Sequence, residues 1–70
     1  MRVPFSNLFT SLPDGSISPL RKARIRGIDL KPGLWIGEGV TIFELEVVGL
    51  KGRDLEVEMD QGIALVKAAY

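Results

Sequence analysis

Hydrophobic and polar positions alternate most strictly near the end of the chain. Leu55, Val57 and Met59 interleave with Glu56, Glu58 and Asp60; a turn signal, Asp60-Gln61-Gly62, follows, and a second apolar run leads to Tyr70. A period of two with one apolar face marks a half-buried strand, so residues 53–70 predict a β-hairpin. Two registers fit. A two-residue Gln61-Gly62 loop sets Met59 opposite Ala64, Val57 opposite Val66 and Leu55 opposite Ala68, with Glu56 across from Lys67. A three-residue loop with a glycine bulge turns Ile63 and Leu65 inward instead. The favourable cross-strand charge pair supports the first.

The same pattern recurs upstream in weaker form. Over residues 40–48, Phe43, Leu45 and Val47 alternate with Glu44 and Glu46, which predicts one strand with the apolar set inside. Over residues 21–30, Lys22, Arg24 and Arg26 share one face and Ala23 and Ile25 the other. Gly27 interrupts with a bulge or sharp bend, after which Ile28 and Leu30 supply the inward face. Pro13-Asp14-Gly15, Lys31-Pro32-Gly33 and Gly37-Glu38-Gly39 read as turns, and Ser16-Ile17-Ser18 as a short strand ended by Pro19. Residues 1–12 carry Phe5, Leu8, Phe9 and Leu12 at helical spacing between Pro4 and Pro13. They form an apolar arm, either a turn or two of helix capped by Ser6 or Asn7, or an extended segment lying over the domain or over a neighbour. The pattern thus predicts an all-β fold: a small barrel or sandwich of about five to six short antiparallel strands. Its parts are an N-terminal arm (1–12) and one small β domain (13–70).

Composition adds a stability argument. A chain of 70 residues buries only about 60 % of its unfolded surface. There is no Cys to form a disulfide and no Cys or His to hold zinc, while 46 % of the residues are hydrophobic. Small scaffolds without such staples gain burial by oligomerising, which predicts a homo-oligomer, a dimer or larger. Nine basic and nine acidic residues cancel, which removes any global attraction to nucleic acid or anionic membranes. No segment nears the ~20 apolar residues of a membrane helix. The first residues lack a signal-peptide core. The expectation is a cytoplasmic protein with no membrane partner.

Candidate chemistry is sparse. Without His or Cys, Ser6, Ser11, Ser16 and Ser18 have no ordinary activating base, so no enzyme is expected, and neither a metal nor a cofactor. Asp54, Glu56, Glu58 and Asp60, like Glu44 and Glu46, alternate with aliphatic residues as a solvated strand face does. Arg21, Lys22, Arg24 and Arg26 form a basic cluster with no aromatic residue interleaved. Pairing with the glutamates of neighbouring strands explains it, and opposed basic and acidic edges can also guide strand addition between chains. Trp35 sits between two turns, as a core plug, an interface anchor or a ligand-stacking residue. The leading expectation is a small non-enzymatic interaction or structural module. It self-associates through Phe5, Leu8, Phe9 and Trp35, with a protein partner as a further option. The second is a nucleic-acid-binding small barrel using Lys22, Arg24 and Arg26. The third is a small-molecule or carbohydrate binder centred on Trp35.

Overall fold

Left-handed backbone positions cut the alternating pattern into short pieces. The computed structural model describes residues 1–70 and holds nine strands and two short 3-10 turns. The strands are β1 (Arg2–Pro4), β2 (Phe9–Ser11), β3 (Ile17–Pro19), β4 (Ala23–Ile25), β5 (Ile28–Leu30), β6 (Thr41–Ile42), β7 (Leu45–Glu46), β8 (Asp54–Asp60) and β9 (Ile63–Ala69). Five of them form one sheet in the order β1-β8-β9-β4-β5; β2-β3 and β6-β7 form two small ribbons. The fold is all-β, but the large sheet is open, with β1 and β5 as its edges, and does not close into a barrel.

The β8–β9 hairpin follows the two-residue loop. Gln61 (φ 52°) and Gly62 (φ 81°) are both left-handed, the pattern of a type I′ turn. Met59 faces Ala64 and Val57 faces Val66. Beyond that point the register shifts: Glu56 pairs with Ala68 and Leu55 with Ala69, so Lys67 is the extra residue of a β-bulge. The expected Glu56–Lys67 pair is therefore not made. Glu56 accepts from the Met1 ammonium and from the Tyr70 hydroxyl (3.2 Å), and Lys67 reaches Glu58 at 4.0 Å.

Two predicted strands are each two strands. Residues 21–30 reverse at Arg26 (φ 51°) and Gly27 (φ 82°), so β4 and β5 form a hairpin rather than one bent strand. Leu30 is buried as expected, but Ile28 lies exposed on the edge strand. Residues 40–48 reverse at Phe43 (φ 46°) and Glu44 (φ 71°), which separates β6 from β7 and turns Phe43 out to solvent. Val47 then opens a buried 3-10 turn, Val47–Leu50. Not every neighbour is antiparallel either: β4 runs parallel to β9. Parallel neighbours need a long crossover, which the chain between β4 and β9 supplies.

Of the two placements open to residues 1–12, over their own domain or over a neighbour, the core has the first, and the segment is built into the domain rather than standing apart as an arm. β1 pairs with β8, a 3-10 turn spans Phe5–Asn7, and β2 pairs with β3. The Phe5 amide donates to the Arg53 carbonyl (3.0 Å), and Leu8 accepts from the Leu20 amide (2.8 Å). Phe5, Leu8 and Phe9 thereby enter one cluster of 15 buried residues that includes Ile17, Ile25, Leu50, Leu55 and Val57. The Phe5 and Phe9 rings stack with centroids 4.9 Å apart. No helix is long and apolar enough to cross a membrane.

Candidate interaction surface

Trp35 is held outward by its neighbour. Ile36 and Ile17 exchange two backbone hydrogen bonds of 2.9 Å, and both side chains are buried. Extended backbone sends successive side chains to opposite sides, so Trp35 must face solvent. Gly37 makes room for its ring, since a Cβ there would lie 2.3 Å from indole Cη2. The indole Nε1 donates to Asp14 Oδ2 (3.2 Å). Asp14 Oδ1 accepts from the Ser16 amide (2.9 Å) and from the Ser16 hydroxyl. The Ser16 hydroxyl, the Ser16 amide and then Trp35 hold the Asp14 carboxyl below its ordinary value.

Trp35 belongs to an apolar stretch. Leu34 (44 % exposed), Trp35 (59 %), Val40 (41 %) and Phe43 (67 %) fall between two turns and a hairpin loop. The Lys31-Pro32-Gly33 turn is present, with Leu34 N donating to the Lys31 carbonyl (3.2 Å) and Gly33 at φ 83°. Arg26 Nη1 donates to the Phe43 carbonyl at 2.5 Å, which fixes the β6–β7 loop beside the β4–β5 loop.

Of the four residues expected at an interface, then, only Trp35 lies on the surface. Phe5, Leu8 and Phe9 fill the core of their own chain and offer no surface to a neighbour. The basic strand is also rearranged. Arg24 Nε bonds Asp29 Oδ1 at 2.6 Å, because the reversal at Arg26 and Gly27 sets Asp29 directly opposite on β5. The glutamates expected to pair with it are elsewhere. Lys22 is exposed, and Arg26 points to the Phe43 loop rather than along a row with Arg24. The acidic positions have structural partners: Asp54 accepts from Arg2 Nε (3.1 Å) and Glu46 from the Gly39 amide (3.1 Å). No three acidic side chains gather as a metal site would require.

Leu34, Val40 and Phe43 escaped the sequence reading for different reasons. Leu34 and Val40 flank turn signals and could have been suspected as uncovered loop residues. Phe43 carried the wrong signal, since strict alternation placed it inside. No protein family, curated protein or solved structure matches this chain.

Three carboxyls, Asp14, Asp29 and Glu56, are held below their ordinary values of 3.8 for aspartate and 4.5 for glutamate. Ser16 is the main cause for Asp14, Arg24 for Asp29, and the N-terminal ammonium for Glu56. A depressed folded value stabilises the fold above the unfolded value, and that contribution is lost as pH falls through the folded value. Thermal melts read by circular dichroism should therefore hold steady from neutrality to about pH 5 and fall below it. Asp29→Asn should flatten the acid limb; an unchanged limb would remove the Arg24–Asp29 pair from the explanation.

Proposed function

We propose that the protein is a small non-enzymatic interaction module that self-associates through the face carrying Leu34, Trp35, Val40 and Phe43. The supporting observation is their closeness in sequence: four large apolar side chains within ten residues of chain stand uncovered. Large apolar side chains left exposed together on one segment of a small domain point to an interaction site. Tryptophan and phenylalanine give the largest burial per residue, and aromatic anchors dominate interface energetics. The Trp35 ring is already oriented by Gly37 and Asp14, so little freedom is lost on docking. The finer architecture we read as a sandwich, with the small ribbons laid over one face of the five-stranded sheet.

Size-exclusion chromatography with light scattering over a concentration series tests this reading. The wild type should exceed the monomer mass of 7.7 kDa. Trp35→Ser combined with Phe43→Ser should return it to the monomer with its melting temperature retained, because neither side chain belongs to the core. A wild type that stays monomeric throughout would sink the proposal.

A further inference from the structure

β4 lies along β9 only where Ala23, Arg24 and Ile25 face Ala64, Leu65 and Val66. At Arg26 the chain turns away, and residues 67–69 of β9 continue with no strand on that side. A groove of about 260 Å³ runs along this stretch. Its floor is aliphatic, from Ile25, Leu45, Leu50 and Val66. Its rim is cationic, from Arg26, Arg53 and Lys67, and no carboxylate lines it. An adjoining hollow of about 380 Å³ adds Arg24 and shares Arg26 and Lys67.

Two of the three charges on this rim, those of Arg26 and Lys67, are largely uncompensated. Arg26 belongs to no ion pair. Arg26 donates to the Phe43 carbonyl, and Arg53 donates through Nε to the Tyr70 main-chain oxygen (2.9 Å) and through Nη2 to the Ala69 carbonyl (3.3 Å). Backbone oxygens thus hold both guanidiniums in place, and the Phe43 carbonyl does so without cancelling the Arg26 charge. Lys67 reaches Glu58 only at 4.0 Å, with both side chains well exposed.

We propose that this groove binds an extended acidic peptide, which adds as a short strand beside residues 67–69 of β9. A strand edge with no neighbouring strand offers backbone groups to such a segment, which takes over the Ala69 carbonyl from Arg53. Alternating side chains let aliphatic residues of the peptide meet the floor while its carboxylates meet Arg26, Arg53 and Lys67. A single-stranded nucleic acid fits less well. It needs aromatic faces for its bases, whereas the floor is aliphatic and the chain carries no net charge.

The test uses the full chain and a short fluorescein-labelled peptide of alternating valine and glutamate at low salt. Fluorescence anisotropy reads affinity, and amide hydrogen exchange reads location. The peptide should bind and protect amides in residues 67–69 without protecting residues 34–43. Arg26→Glu and Lys67→Glu should each weaken binding about tenfold, and N-methylation of alternate peptide amides by a similar factor. Absence of binding at about 1 mM peptide would overturn the proposal. So would equal affinity of the N-methylated peptide, equal affinity of both charge-reversed variants, or displacement by oligothymidylate with protection at the same residues.

Discussion

Phe9→Ala is expected to leave the protein largely unfolded. Phe9 is 1 % exposed, stacks on Phe5 and belongs to the same buried cluster as Ile17 and Leu55. Truncating a buried phenylalanine costs about 3–5 kcal/mol, from lost transfer energy and from the cavity left behind. A chain of this length holds roughly 4–10 kcal/mol in total, at about 0.05–0.15 kcal/mol per residue. One substitution therefore removes a large fraction of the stability. Urea denaturation followed by circular dichroism should show either no folded baseline or a midpoint shifted far to low denaturant. The experiment also separates two roles for residues 1–12. If Phe9 anchored a neighbouring chain, the variant would keep its fold and lose oligomer mass. The packing described above requires the opposite.

The second large effect is a gain in stability coupled to a loss of association. Phe43 and Glu44 occupy successive left-handed positions, at φ 46° and 71°. Such positions cost an ordinary L-residue about 1–2 kcal/mol, and type I′ loops favour Asn-Gly. Phe43→Asn with Glu44→Gly should raise stability by about 1–2 kcal/mol, since the loop keeps its geometry with residues suited to it. The same variant removes the most exposed apolar ring of the 34–43 face and should reduce oligomer mass. On the proposed reading, the strain at Phe43 is kept because its exposed ring serves the interface. Denaturant midpoint and solution mass, measured together, decide the matter. A variant that is more stable and still fully associated would detach Phe43 from the interface.

Much of the β8–β9 hairpin was legible from alternation alone, down to Met59 opposite Ala64 and Val57 opposite Val66. The bulge at Lys67 was not, because it depends on Glu56 finding other partners in the Met1 ammonium and the Tyr70 hydroxyl. Gly27 announced an interruption, but a full reversal also required Arg26 to turn left-handed, which no propensity marks. The break at Phe43 carried no glycine, asparagine or aspartate, so a strand was the natural reading there. Residues 1–12 illustrate a different limit. Their apolar spacing shows that something covers Phe5, Leu8 and Phe9, but not whether the cover comes from the same chain. The surface at 34–43 depended on Ile36 being pinned to Ile17, a pairing between segments well apart in sequence. The basic groove needed the early end of β4 to leave β9 unaccompanied.

The strand order bears on how the protein is made. β9 is the central strand of the large sheet and β8 its neighbour; β1 joins the sheet only through β8, and the β4–β5 hairpin only through β9. A growing polypeptide on the ribosome can close the β4–β5 hairpin early, since its strands are adjacent in sequence. It cannot build the five-stranded sheet until residues 54–69 have emerged from the exit tunnel. Until then Leu8, Phe9, Ile17 and Ile25 lack Leu55, Val57 and Ala64, the part of their cluster that β8 and β9 supply. Folding is therefore a late, near all-or-none event in the life of each molecule, set by long loop closures. Chains stalled before β8 expose sticky surface that invites chaperones or proteolysis.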